Sequence, residues 1–210
     1  MVSEHPIAEP TVAGAPAPPP ARIAPRVRAD AQRNRELILD AARAAFSSGA
    51  EQVSLEAIAR DAGVGIGTLY RHFPTRESLV EVVHRDGLAL VVAQAAELLA
   101  THDPATALRL WMDEYADFVG RKRGMAESLR ALSKAGVINA SDTRALITET
   151  LQRFLDAGAQ AGTLREDVRA EDVAASLVGI FLAADSLQPG QAGRMLDLLF
   201  AGIRSTSSTR

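Results

Sequence analysis

Apolar residues recur along most of this chain with the three- and four-residue spacing of amphipathic helices. No stretch alternates apolar and polar residues for long enough to predict a strand. The predicted fold is therefore all-α. Helices are predicted at residues 30–48, 54–62, 65–73, 75–100, 104–119, 125–135, 141–162, 171–187 and 191–204.

The segment between Ser54 and Glu77 carries the signals of two short helices joined by a tight turn. Ser54 is a predicted N-cap, because its hydroxyl can accept from a free backbone N–H of the first turn. Gly63 can adopt the left-handed conformation that ends the first helix, and Pro74 stops the second. The first helix has apolar residues at i, i+3, i+4 and i+7, namely Leu55, Ile58, Ala59 and Ala62. This order predicts a helix-turn-helix, whose second helix can enter the major groove of DNA.

The second helix of this motif has one apolar side and one outward side. Leu69 and Phe73 are four residues apart and are predicted to pack on the preceding helices. An outward Arg can read a guanine edge or hold a phosphate, and hydroxyl groups usually bind phosphate oxygens. From helix geometry alone, DNA binding and an ordinary solvated surface remain equally open. The outward or flanking residues are Ile66, Gly67, Thr68, Tyr70, Arg71 and His72.

The string AGVGIGTLYRHFPTRESLVEVV resembles the DNA-binding signature of the tetracycline-repressor (TetR) family of bacterial transcription regulators. The resemblance extends from near Arg33 to Val83 and implies DNA binding. It implies base-edge positions for Ile66, Gly67 and Arg71. It implies phosphate contacts for Thr68, Tyr70, His72 and Arg76. Ser54, at the start of the motif, is included among the predicted DNA contacts.

Charge is distributed unevenly along the chain. The formal net charge is −3, which does not favour nonspecific binding to nucleic acid. Residues 22–85 nevertheless carry 10 Arg against 8 Asp and Glu, a net charge of +2 that leaves −5 elsewhere. We predict phosphate contacts at Arg33 and Arg35. For Arg22, Arg26 and Arg28, a DNA-binding arm and a solvated tail remain equally open.

Composition divides the chain into four parts. Seven of the ten prolines lie in residues 1–29, which predicts a disordered leader. A DNA-binding domain is predicted at 30–80, a ligand-binding and dimerisation domain at 81–205, and a flexible tail at 206–210. The leader lacks the regions of a signal peptide, and no apolar run approaches the roughly 18 residues of a membrane span. Cysteine is absent, and we predict a cytoplasmic protein without a membrane partner.

A cluster of aromatic and large apolar residues lies in the C-terminal half of the chain. Trp111, Tyr115 and Phe118 share one helix face, which predicts either core packing or the wall of a small-ligand cavity. The family resemblance implies an effector site in this half. His84 and His102 fall nearby, but their loose spacing does not define a metal site, and no cofactor is predicted. The predicted ligand-binding residues are Trp111, Tyr115, Phe118, Met125 and Leu129.

The last two predicted helices carry more apolar surface than one subunit core requires. An ordinary buried hairpin is the alternative interpretation. The resemblance implies that these helices pair with their counterparts in a four-helix dimer interface. The predicted interface residues are Val173, Leu177, Ile180, Ala184, Met195, Leu199 and Ile203.

These features together predict a ligand-responsive, dimeric DNA-binding transcriptional regulator. The predicted mode of action is a repressor that leaves a pseudo-palindromic double-stranded DNA operator when it binds a small, largely apolar effector. The alternative is a helical small-molecule carrier or interaction protein without operator binding. No nucleophile, paired-carboxylate motif or metal cluster is evident, so we do not predict an enzyme.

Overall fold

The computed structural model describes residues 23–47, 53–183, 188 and 190–205. Within these ranges the chain is helical, and no strand is present. A 3₁₀ turn, Arg123–Met125, follows the fifth helix. The helices are α1 (Ile23–Ser47), α2 (Leu55–Asp61), α3 (Ile66–His72), α4 (Arg76–Thr101), α5 (Pro104–Arg121), α6 (Ala126–Lys134), α7 (Ala140–Gln160), α8 (Ala170–Ala183) and α9 (Gln191–Ile203).

The first helix begins earlier than predicted. The structure starts α1 at Ile23, so residues 23–29 are helical, whereas they were assigned to a disordered leader. Pro25 is compatible with this start, because proline is tolerated in the first turn of a helix, where its missing N–H would lack an intrahelical partner. The rest of the predicted leader lies outside the described residues, as do the tail at 206–210 and Ala184.

Backbone capping fixes the turn between α2 and α3. The Ser54 hydroxyl accepts from the Ala57 N–H at 3.1 Å, which confirms the predicted N-cap. Gly63 adopts φ +67°, and its N–H donates to the Arg60 carbonyl at 3.0 Å. The Val64 N–H donates to the Ala59 carbonyl at 2.9 Å. These two bonds form a Schellman motif, so the glycine sets the direction in which α3 leaves α2.

The apolar residues form two cores rather than one. The first joins α1, α2, α3 and the start of α4, and it includes the fully buried Leu69 and Phe73. The second joins the rest of α4 with α5, α7, α8 and α9 around Trp111 and Phe154. Met125 and Leu132, from the C-terminal half, complete the first core. The DNA-binding unit therefore packs directly on the 3₁₀ turn and α6.

Backbone contacts connect the end of α9 to the turn after α7. Leu164 and Arg204 form an isolated antiparallel bridge. The Arg165 N–H donates to the Ile203 carbonyl at 3.0 Å, and the Ser205 N–H donates to the Thr163 carbonyl at 3.1 Å. In the described part of the chain, no helix is long and apolar enough to cross a membrane.

Candidate DNA-binding surface and ligand cavity

The structure places the outward face of α3 in solvent. Ile66 and Tyr70 are 38% and 44% exposed, although both are large side chains that a core would normally bury. Arg71 and Gly67 are exposed beside them. Thr68 and His72 are half-buried at the edge of this face. Leu69 and Phe73 anchor the opposite side, so α3 presents these groups on a fixed support.

Arg76 does not join that surface. Its guanidinium donates to the Val53 carbonyl and, at 3.0 Å, to the Gly124 carbonyl. It also lies over the Phe46 ring, with 5.5 Å between the guanidinium carbon and the ring centre. Two of its N–H groups therefore bind inside the subunit, which favours a packing role for Arg76 over the predicted phosphate contact. Arg76 instead ties the start of α4 to the 3₁₀ turn.

The other predicted DNA contacts ahead of the motif have different surroundings. Arg33 is exposed on α1, as a phosphate contact requires. Arg35 is half-buried, with its guanidinium carbon 4.7 Å from the Phe73 ring centre, a cation–π contact that positions α1 against α3. Ser54 is exposed, but its hydroxyl caps α2. The side chains of Arg22, Arg26 and Arg28 lie outside the described residues.

A cavity of about 330 Å³ lies between α4, α5, α6, α7 and α8. Its apolar wall is formed mainly by Leu129, Ile138, Ile147 and Val178, which come from separate elements. Its polar groups include Tyr115, Lys122 and Arg144, with His84 contributed by α4. A second cavity of about 500 Å³ lies next to it and shares Tyr115, Lys122 and Val178. An apolar wall with a few converging polar groups is typical of a small-molecule site.

Two of the five predicted ligand-binding residues, Tyr115 and Leu129, line this cavity. Trp111 is fully buried behind Tyr115, with the rings stacked at 5.3 Å, and its indole N–H donates to the Val91 carbonyl at 2.9 Å. Phe118 is a core residue that stacks on His84. Met125 belongs to the core of the DNA-binding unit. For these three residues the core interpretation is the one the structure supports.

The polar side of the cavity is basic. Burial and the neighbouring Lys122 ammonium lower the pKa of His84 to about 4, so its ring is neutral near pH 7. Burial also lowers the pKa of Lys122, whose ammonium lies 4.7 Å from the Phe118 ring centre. Burial raises the pKa of Tyr115, and this effect is opposed by Arg144. The sequence spacing could have indicated Lys122, because it follows Phe118 by four residues and so lies on the same helical face as the predicted aromatic wall.

Most residues predicted at the dimer interface lie inside the subunit. Val173, Leu177, Ile180 and Ile203 are buried in the second core. They face inward because α8 and α9 pack on α5 and α7, and this arrangement corrects their assignment. Met195 and Leu199 are half-buried. The largest exposed apolar groups of these helices are instead Leu182, 80% exposed, and Leu198, 74% exposed.

Comparison with known families matches both halves of the chain. Residues 38–83 match the model of bacterial regulatory proteins of the tetR family. Residues 103–205 match the model of the SbtR-like transcriptional regulator C-terminal domain. A curated HTH-type transcriptional regulator of Staphylococcus aureus is 42% identical over 62 residues. That match covers 29% of this chain and 34% of the relative, so the chain spans about a third of the length of its curated relatives.

Solved structures match over most of their length. The TetR transcriptional regulator from Streptomyces coelicolor is 44% identical, with a TM-score of 0.71, covering 82% of this chain and 99% of that one. A TetR transcription regulatory protein from Mycobacterium vanbaalenii is 34% identical, with a TM-score of 0.63 and coverage of 85% and 99%. All of these matches are described as regulators rather than enzymes. With its exposed α3 face and its bundle enclosing a cavity, the chain belongs to the TetR family of transcriptional regulators.

Proposed function

We propose that two copies of this chain bind a pseudo-palindromic DNA operator as a homodimer and release it when each binds a small effector. The protein would then act as a repressor in the cytoplasm. The two α3 helices would occupy major-groove faces about one helical turn apart, roughly 34–36 Å along the duplex. The exposed face of α3 carries this proposal.

The chemistry of that face suits a duplex. Arg71 can donate two hydrogen bonds to a guanine edge, and Ile66 can contact a thymine methyl. The Tyr70 hydroxyl can donate to a phosphate oxygen. Gly67 has no atom within 4 Å of the position its Cβ would occupy, so the open backbone there allows close approach of DNA.

The coupling between cavity and DNA would run through α4 and the 3₁₀ turn. His84 brings α4 to the cavity, and Arg76 begins the same helix beside the DNA-binding unit. Lys122, also at the cavity, immediately precedes the turn whose Gly124 carbonyl accepts from Arg76. An occupant that moves Lys122 or His84 would therefore shift the support of α3. A coupling free energy of about 1–3 kcal/mol is typical of such allostery.

The exposed apolar side of α8 and α9 would form the subunit contact. On α8, Ala175, Gly179 and Leu182 are exposed at i, i+4 and i+7, which defines one continuous stripe. On α9, Leu198 and Ala201 are exposed three residues apart. The small residues Ala175, Gly179 and Ala201 on these stripes allow close approach of a second copy of these helices.

Selection of binding sites from a random DNA pool, using the full chain, tests the proposal. The expected product is an inverted repeat whose half-sites are about one helical turn apart. Enrichment of no sequence, or of one unrepeated site, would contradict a dimeric operator-binding protein. A chain that binds small molecules but selects no DNA would instead be a carrier.

A matched pair of arginine variants then tests whether Arg71 recognises a base. Arg71→Ala should weaken binding by about 1–3 kcal/mol and relax the preference at one base position. Arg130→Ala, in the exposed part of α6, is the control and should leave the selected sequence unchanged. A loss that is equal on all sequences would make Arg71 a phosphate contact.

A further inference from the structure

We propose that the 330 Å³ cavity binds a small organic anion, with an apolar body against Leu129, Ile147 and Val178 and its acidic group beside Lys122 and Arg144. This assignment rests on the proposed function, since it names the class of effector. It replaces the largely apolar effector expected from the sequence with an amphipathic acid.

The first argument is charge. Lys122 reaches the cavity from the end of α5 and Arg144 reaches it from α7, and none of the described residues lining it is acidic. Neither cation has an ion-pair partner within the described ranges of the chain. Lys122 is half-buried, and a cation buried among apolar groups is unfavourable unless an opposite charge joins it, whereas Arg144 is exposed. An organic acid would supply that charge when it enters.

The second argument is an unsatisfied polar atom. His84 is only 5% exposed, and its Nδ1 has no hydrogen-bond partner in the described structure. Buried polar atoms nearly always have a partner, and this unpaired nitrogen belongs to a residue that lines the cavity, although the atom itself is covered by protein. The neutral ring carries one donor and one acceptor, and its N–H can donate to an acidic group. His84 therefore adds a neutral donor to the two cations.

The third argument is the direction of α7. This helix begins at Ala140, and both Ala140 and Thr143 line the cavity. The N-terminus of a helix carries partial positive charge, which favours an anion. Asp142 also lies in this first turn, but it accepts from the Asn139 side chain and does not line the cavity.

The size of the cavity limits the occupant. A volume of about 330 Å³ is at the lower end of the range for small-ligand sites. The apolar wall comes from four elements, so one compact body, such as a short acyl chain or a small ring system, fits better than an extended polar molecule. Asp117 lines the neighbouring cavity together with Lys122 and Arg123, whereas no acidic residue among those described lines this one.

Two dyes that differ in charge provide the test. Anilinonaphthalene sulfonate is an amphipathic anion, and phenylnaphthylamine is its uncharged parent. Both are titrated into the full-length protein, and energy transfer from Trp111, the one tryptophan of the chain, reports binding near Tyr115. The anion should bind about ten-fold more tightly or better, the scale of one charge-assisted contact.

Lysine variants locate the site. Lys122→Met should remove most of the preference for the anion and leave the neutral dye unaffected. Lys134→Met, at the exposed end of α6, is the matched control and should bind both dyes as the unmodified protein does. Arg144→Met, on an exposed position, gives a second reading if Lys122→Met does not fold.

The outcomes separate this inference from the proposed function. Equal affinity for the two dyes, no binding of the anion, or a preference untouched by both Lys122→Met and Arg144→Met would overturn it. Operator selection is carried out without dye. A protein that selects an operator but fails the dye test retains its proposed function and loses only the effector class.

Discussion

The Arg76 guanidinium donates to the Gly124 carbonyl at 3.0 Å, across 48 residues of sequence. The same side chain donates to the Val53 carbonyl, which precedes α2. One cation thus joins the DNA-binding unit, the start of α4 and the 3₁₀ turn beside the cavity. Because two buried carbonyl groups depend on it, its removal affects both packing and the proposed coupling.

Arg76→Met should lower the free energy of unfolding by about 1–3 kcal/mol, since it leaves buried acceptors without a donor. It should leave the salt dependence of operator binding unchanged. A lost phosphate contact would reduce the slope of the logarithm of affinity against the logarithm of salt concentration by about one unit. Denaturant unfolding and operator titrations at several salt concentrations measure the two effects.

Arg71→Met is the matched control, because Arg71 is exposed on α3. It should change operator affinity with little effect on unfolding. A reduced salt slope in Arg76→Met, together with unchanged stability, would restore Arg76 as a phosphate contact and contradict its internal role.

Leu198→Glu should convert the proposed dimer to a monomer, because it places a charge in the exposed apolar side of α9. Leu90→Glu, 56% exposed on α4, is the control with the same chemical change away from that side. Light scattering at micromolar concentration measures the mass. Unmodified protein with the mass of one chain, or a Leu198→Glu variant that remains dimeric, would count against this surface.

His84 should make stability depend on pH. Its pKa is about 4 in the folded protein, whereas an unperturbed histidine has a pKa of 6.5, so the unfolded chain binds more protons between those limits. The resulting stabilisation is present above pH 6.5 and is lost as the pH falls toward 4.

The free energy of unfolding of the unmodified protein should therefore fall between about pH 7 and pH 4.5. In His84→Gln this fall should be smaller by about 2 kcal/mol. Urea unfolding across that range measures the difference. His102→Gln, with its ring exposed after the end of α4, controls for loss of a histidine. Identical pH profiles for unmodified protein and His84→Gln would disprove the linkage.

Gly158→Ala should destabilise the second core. A Cβ on Gly158 would lie within 2.7 Å of the Leu164 Cβ, and overpacking of this kind costs about 1–3 kcal/mol or more. Gly120→Ala, where nothing lies within 4 Å of the added Cβ, should instead gain up to about 1 kcal/mol from helix propensity. Thermal unfolding of the two variants should show shifts of opposite sign.

Local signals in the sequence were sufficient for the DNA-binding unit. Ser54 and Gly63 act on their immediate neighbours, and each adopts the predicted capping conformation. The burial of Leu69 and Phe73 follows from their four-residue spacing on one short helix. These predictions depend on chemistry within a few residues and needed no tertiary information.

The cavity and the subunit surface depend on how distant helices pack. Val173 and Leu177 form a stripe that suits either a core or an interface, and only the position of α5 and α7 identifies it as core. Lys122 follows the end of α5 and Arg144 lies in α7, so no spacing in the sequence indicated that they share a cavity. No sequence signal indicated the internal bonds of Arg76, because its two acceptors are backbone carbonyls, which carry no residue signature.

The backbone bonds between residues 163–165 and 203–205 have a consequence for cooperativity. They fasten the far end of α7, a wall of the cavity, to the far end of α9. An acid that displaces α7 would thus tilt α9, which is part of the proposed subunit contact, without involving α3. Since linked binding free energies are reciprocal, the apparent affinity for the acid is expected to change as the protein is diluted below the dissociation constant of the dimer.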